Sequence, residues 1–377
     1  MNIQFYLTIF LALTTCFIFG QDSSKTYLFV GSYTSGEKTE GIYVYDFNTG
    51  TGELTEVEKE DSLINPSFLT ISPNGKFLYA CTDTKLEKNG SVSAFRIDTL
   101  TGEISFINKQ TTGGRNPVHL VVDKTNKHVI TSNYTDAGIS VFKCNANGSI
   151  QPFSQLIEFE GNSIITGRQD NAHIHSSNFS PDNKFVFTPD LGSDKIRTFR
   201  FDHKDLLKSV DSLTINTDKG SGPRHFTFHP NEPFAYCVEE LSGTVSLYNY
   251  KNGQLSLSNT YSSYQQKQEE YASSDIHCSP DGKYLYVSNR QDENSISIFR
   301  INQNNGKLIL KKHQSTFGNI PRSFVIDPTG KYLIVANQTS NDLVIFSRNF
   351  ETGLLIKIGI MTGLKSPSSL KMIKYGS

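Results

Sequence analysis

An all-β fold closed into a ring is what this sequence of 377 residues predicts, and three observations predict it. From residue 27 onward the chain runs as short strand-like stretches broken by turn residues, with no sustained helical period. A hairpin phrase recurs: NPSFLTISPNGKFLYACTD from Asn65, GPRHFTFHPNEPFAYCVEEL from Gly222, SDIHCSPDGKYLYVSNR from Ser274 and IPRSFVIDPTGKYLIVANQ from Ile320. Registered on the turn after the first hairpin strand, the copies centre on Pro73, Lys124, Pro181, Pro230, Pro280 and Pro328. Their spacing of about 50 residues is what four antiparallel strands and their turns need in one blade of a propeller. The third observation lies at the ends. SPSSLKMI (366–373) has the form of a first hairpin strand with no second, and TYLFVGSYT (26–34) has the form of the second strand KYLIVANQT (331–339). Joined, they complete a seventh unit and remove the open edges, giving a seven-bladed β-propeller of four-stranded antiparallel blades.

The elements follow in order. Residues 1–20 (MNIQFYLTIFLALTTCFIFG) are apolar and uncharged and run at once into polar QDSSKT. That pattern predicts an export leader cut before Gln21, and a chain destined for the bacterial periplasm or secretion. No later stretch is long and apolar enough to span a bilayer. Residues 21–377 form one closed domain. Strands are expected at 27–33, 42–47, 69–72, 77–81 and 91–97, and the key hairpin at 224–229 and 233–240. DTLTGE from Asp98 echoes NTGTGE from Asn48, and both read as tight turns between outer strands. The polar insertions 160–171 and 262–273 each precede a first strand, so both belong to one face of the ring. Insertions gathered on one face mark a binding face. Cys81, Cys144, Cys237 and Cys278 are expected as free thiols, since they lie in strand patterns or lack any paired spacing. Lys plus Arg (36) and Asp plus Glu (37) nearly cancel, which removes the simplest argument for nucleic acid or anionic lipid as partner.

Chemistry concentrates at two register positions. Six residues before each turn stand Ser67, Val118, His175, Arg224, Ser274, Arg322 and, in the last copy, Ser368. Ten residues after it stand Asp83, Tyr134, Leu191, Glu240, Arg290, Gln338 and, from the N-terminal strand, Tyr33. In an antiparallel hairpin the start of one strand lies beside the end of the next, so both sets crowd one mouth of the central channel. Two readings fit His175, Arg224, Glu240, Arg290 and Arg322 gathered there. One is an ion-pair ring that stitches blades together. The other is ester or lactone hydrolysis, with His or carboxylate deprotonating water and guanidinium groups stabilising anionic charge. His173 and His175 share a strand face, but no further ligand pattern accompanies them, so no metal or other cofactor is expected. His119, His225, His229 and His277 sit in strand patterns and read as core or turn histidines. GSYTSGEK (31–38) imitates a phosphate loop, yet has Glu37 where Lys is needed.

On the stretches GRQDNAHIHSSNFSPDNKFVFTPDLGSDKI (167–196), GPRHFTFHPNEPFAYCVEEL (222–241) and SDIHCSPDGKYLYVSNR (274–290), the chain resembles the seven-bladed lactonase family. That family contains bacterial 6-phosphogluconolactonase and the fungal carboxy-muconate lactonizing enzyme. The resemblance implies His175, Arg224, Glu240 and Arg290 as catalytic residues acting without a metal on a small-molecule lactone. Arg168 and Gln169 of the RQ loop are expected to rim the pocket, with His173, Arg322, Tyr33 and Glu239 as further substrate-site residues. The implied mechanism is attack of water on the lactone carbonyl, with His175 or Glu240 as base and Arg224 and Arg290 steadying the oxyanion. On this reading, removal of Arg224 or Glu240 ends turnover and leaves the fold intact. The alternatives are a cycloisomerase and an exported propeller that binds carbohydrate or a protein without catalysis.

Overall fold

The computed structural model describes residues 24–376. The leader at 1–20 and its cut site lie outside the described residues. Seven sheets follow one another around a ring. Six arise from consecutive chain; the first blade (Lys25–Ser32, Ile42–Phe47, Leu54–Glu60) takes its innermost strand, Pro367–Tyr375, from the C-terminus. The closing pairing is antiparallel and runs from Lys25↔Tyr375 to Ser32↔Pro367. In chain order the remaining inner strands are Phe68–Ile71, Pro117–Val122, Asn178–Phe179, Pro223–Phe228, Ser273–Cys278 and Pro321–Ile326, belonging to blades two to seven. The turns that echo each other have matching geometry. Asn48 Oδ1 accepts from the amides of Gly50 and Thr51, Asp98 Oδ1 from those of Leu100 and Thr101.

The second strand of each hairpin departs from simple alternation. Phe77–Thr82, Phe234–Glu239 and Tyr332–Asn337 are buried at every position. A strand flanked by sheets on both faces has no solvent side, so it reads as a nearly continuous apolar run. The core is accordingly divided into wedges between neighbouring blades. Tyr43, Tyr45 and Phe47 of the first blade pack with Tyr332, Ile334 and Leu343 of the seventh. Tyr27, Phe29 and Val44 pack with Leu78, Ala80 and Phe95 of the second. Blade four differs at its rim: the outer edge is split into Leu206–Ser209 and Ile215–Asn216 around the 3-10 turn Asp211–Leu213. All four cysteines of the described residues are free, and Cys81 and Cys237 are buried.

Leu370 on the closing strand is 1% exposed and packs into the wedge between the first and seventh blades, whereas Leu100 in a surface turn is 80% exposed. Leu370→Ala is expected to cost about 2–5 kcal/mol and Leu100→Ala close to nothing. Urea denaturation of the two variants checks this; equal midpoints would show that the closing strand contributes no packing.

Candidate active site at the channel mouth

The mouth is organised by the entry to the fifth blade. Gly222 adopts φ +62°, and a Cβ there would lie 2.6 Å from Leu241 Cγ, so the turn needs glycine. Its carbonyl accepts the Glu240 amide at 2.8 Å. The ladder then slips between Pro223 and His225. A bulge of this kind re-aims a side chain that regular pleating would turn away. Similar slips occur at Pro117/His119 and Pro321/Ser323, so the defect recurs at the same level of the ring.

Glu240 is the anionic centre. Arg224 Nε donates to its Oε2 at 2.8 Å, Arg168 Nη2 to its Oε1 at 2.5 Å, and Arg290 Nη2 lies 3.1 Å from Oε2. Burial alone would raise the Glu240 pKa, but Arg290, Arg224 and Arg168 together hold it well below the carboxylate range. Arg224 is itself 1% exposed and donates through Nη1 to Ser274 O at 2.6 Å. Burial, then the Arg290 charge, draw it down to about 9, so it stays a cation at neutral pH. The two insertions build the rest. Arg168 comes from the first. In the second, Tyr264 Oη accepts the Ala272 amide, and Arg290 Nε donates to Ala272 O at 2.9 Å.

His175 stands at the irregular start of the fourth blade, where Ser176 Oγ donates to Arg224 O at 2.8 Å. It is buried, and its Nδ1 has no hydrogen-bond partner among the described residues. Burial, then Arg224, His225 and Arg322, push it well below the usual histidine value, so the ring is neutral. His173 stacks on Tyr134 at 4.3 Å and 3°, and His175 meets the same phenol ring edge-on at 5.5 Å. Arg322 Nη2 donates to Tyr33 Oη at 3.1 Å. Burial would raise the Tyr33 pKa, yet the Arg322 and Lys85 cations bring it below its ordinary value.

Two of the residues expected at the substrate site are engaged elsewhere. Gln169 is fully buried, and its amide donates to Leu191 O and Asp194 Oδ1, both at 2.8 Å. It braces the loop that carries Arg168. Glu239 precedes Glu240 on an extended backbone and so points the opposite way. It accepts from Thr244 Oγ1 and Ser246 Oγ. Asp194 had no sequence signal: it accepts from Gly220 N at 2.6 Å, Gly222 N at 2.8 Å and Gln169, tying the RQ loop to the GPRH turn. Of the histidines read as core or turn residues, His229 is a turn residue. Its Nδ1 accepts the Asn231 and Glu232 amides, and its Nε2–H donates to Gly282 O. His119, His225 and His277 instead meet around the channel axis, where His225 lies 5.6 Å from His119 and 5.2 Å from His175, and Asp275 contacts both His225 and His277.

The arrangement is suited chemically to an anion: three guanidinium groups face one carboxylate, with Arg322 near by on Tyr33 and neutral imidazoles beside them. This seven-bladed ring is a propeller lactonase by class: the chain belongs to the family described as lactonase, 7-bladed beta-propeller, matched over residues 27–372. It is 47% identical to the 6-phosphogluconolactonase of Formosa agariphila over 92% of this chain and 99% of that protein. Identity to the 6-phosphogluconolactonase of Bacillus subtilis is 34%, over 92% and 97%. The solved periplasmic gluconolactonase PpgL of Pseudomonas aeruginosa superposes with a TM-score of 0.87 at 30% identity, covering 93% of this chain and 99% of that one.

Because Glu240 is depressed from its ordinary 4.5, its ion pairs stabilise the fold fully above that pH and are lost as pH falls from there toward the folded value. Removing one partner of a buried pair costs on the order of 3–5 kcal/mol, so truncating Arg224 or Glu240 is expected to lower stability. Glu240→Gln is expected to lower stability at pH 7 and to flatten the acid limb of the stability–pH curve. Urea midpoints between pH 3 and 7 check both; an unchanged acid limb would exclude Glu240 as its source.

Proposed function

We propose that this chain is a lactone hydrolase of the 6-phosphogluconolactonase kind, which opens a sugar-derived lactone in the channel mouth. The observation that carries this reading is the excess of guanidinium over carboxylate around Glu240, set beside imidazoles that stay uncharged. Arg290 and Arg322 hold the substrate's oxygens, and Arg224, locked by Glu240, keeps the positive field in place as the carbonyl oxygen gains charge. Water attacks the carbonyl carbon and gives its proton to a neutral imidazole of the mouth. Glu240 is unsuited to that task, because three cations stabilise its ionised form. Two such imidazoles are at hand, His175 at the rim and His225 beside it with ring centroids 5.2 Å apart. Collapse of the tetrahedral species expels the ring oxygen, which takes the proton back, and the product is the open hydroxy acid.

The apolar leader and the likeness to a periplasmic gluconolactonase support an exported enzyme acting on an unphosphorylated aldonolactone. Among the described residues no helix is long and apolar enough to cross a membrane. Proton release from glucono-δ-lactone and its 6-phosphate, measured against the spontaneous rate, tests the reading. Turnover of at least one, retained in a chelator, is expected. Arg290→Gln should lower kcat/KM by roughly 10²–10³-fold while the circular dichroism spectrum is unchanged. If neither lactone is opened faster than in buffer, and a wider set of sugar lactones gives the same result, the chain is a binding protein instead.

A further inference from the structure

Below the rim lies a second layer of side chains, one from each blade's inner strand apart from the fourth, where His175 drops toward it. The layer comprises Lys371, Phe68, His119, His225, Asp275 and Ser323. Phe68 of the second blade and His225 of the fifth, which are not neighbours in the ring, have ring centroids 6.1 Å apart, so this layer closes around the axis itself. The lactonase reading leaves its ionisable groups without a role.

We infer that His225, held in one tautomer by Asp275, is the base that activates water in this reaction. The inference rests on the lactonase reading and names the imidazole that reading requires. Three observations carry it. First, His225 Nδ1 lies 2.9 Å from Asp275 Oδ1. A carboxylate only accepts, so the ring proton sits on Nδ1 and the Nε2 lone pair is free. Second, Nε2 is buried and has no hydrogen-bond partner among the described residues. Third, His225 lines a cavity of about 10 Å³ with Arg224, Arg322 and Tyr33, and a volume of that order holds one water. The same guanidinium groups that await the oxyanion therefore border the space in which its nucleophile would be held.

Asp275 is built for the orienting role. Its Oδ1 also accepts the Ile276 amide at 3.0 Å, and its Oδ2 accepts Ser323 Oγ at 2.9 Å and lies 3.2 Å from His277 Nε2. Those contacts fix the carboxylate so firmly that the imidazole must adapt to it. Burial would raise the Asp275 pKa, but His277 and His225 hold it well below the usual range. His175 has no carboxylate partner of this kind among the described residues, and its Nδ1 is unpaired there. It is left to meet the substrate from above. The charged and titratable groups facing His225 are Arg224 on its own strand, His119, His175, Asp275 with His277, Arg322 and, across Phe68, Lys371. Burial, then Arg224, bring His225 down to about 4 against the opposing pull of Asp275, so it is a free base throughout the neutral range.

In the step, Nε2 takes one proton of water while the hydroxide oxygen bonds to the carbonyl carbon. The imidazolium is stabilised by Asp275, and Nε2–H returns the proton to the departing ring oxygen. Water plus lactone gives hydroxy acid, and the histidine ends as it began.

Asp275→Asn and His225→Gln, assayed beside Arg290→Gln on an accepted lactone, test the assignment. Both are expected to lower kcat by roughly 10³–10⁴-fold, the scale seen when a buried aspartate that orients a catalytic histidine is replaced by asparagine, with KM changed less than threefold. Wild-type kcat/KM should be flat from pH 5 to 8. Since Asp275 is buried and its variant may misfold, long-range imidazole ¹⁵N spectra of the wild-type protein give a second readout. A neutral His225 protonated on Nδ1 at pH 7 is expected; an Nε2–H ring or an imidazolium overturns the assignment. Unchanged kcat in folded Asp275→Asn and His225→Gln, beside a loss in Arg290→Gln, overturns the base alone. A wild-type chain that opens no lactone overturns the lactonase reading and the base with it.

Discussion

Ring closure is the constraint on which everything else rests. The strand Pro367–Tyr375 enters at the axis and the strand Lys25–Ser32 lies beside it, so the two ends of the chain share one sheet. Without that pairing the first and seventh blades would each present an apolar flank to water, because the wedge of Tyr43, Phe47, Tyr332 and Leu370 is shared between them. Closure also converts a linear repeat into a radial one. Residues about 50 positions apart, such as His225 and Asp275, become side-chain neighbours only because adjacent inner strands converge on the axis.

The mouth shows what that convergence is used for. Taking Arg224 and Glu240 out of water carries a desolvation cost, and a buried ion pair is weak evidence of stability for its own sake. The pair is better explained as a fixed electrostatic element. Glu240 anchors three guanidinium groups that would otherwise repel one another, and each is also tied to the backbone or to an insertion loop. The outcome is a preorganised cationic rim, the kind of fixed field that the proposed hydrolysis would require. Beneath it, Asp275 and several imidazoles form a separate layer, in which Asp275 holds His225, His277 and Ser323.

Between these layers the ladder defects matter more than the strands. At the Pro223/His225 slip, consecutive residues Arg224 and His225 both serve the channel, one at the rim and one below. A regular strand would send one of them into the blade interface. Elsewhere neighbours part company without such a defect: Glu239 and Glu240 point opposite ways by ordinary strand alternation, and Gln169 turns inward from the loop that carries Arg168. In each pair, one residue reaches the mouth and the other satisfies buried backbone or hydroxyl groups behind it.

By itself the sequence determined the blade count, the shared first blade and the level at which Arg224, Glu240, Arg290 and Arg322 stand. Those depend on repeat length and strand period, which are local properties written along the chain. It also marked the two insertions that carry Arg168 and support Arg290. Only the tertiary structure decided which charges touch, that Gln169 and Asp194 act as braces, and that His225 and Asp275 form a pair while the similar His229 closes a turn. A histidine in a strand pattern has the same local signature in either role. Its partner lies a whole blade away, and only the angle at which neighbouring blades meet brings the carboxylate to it.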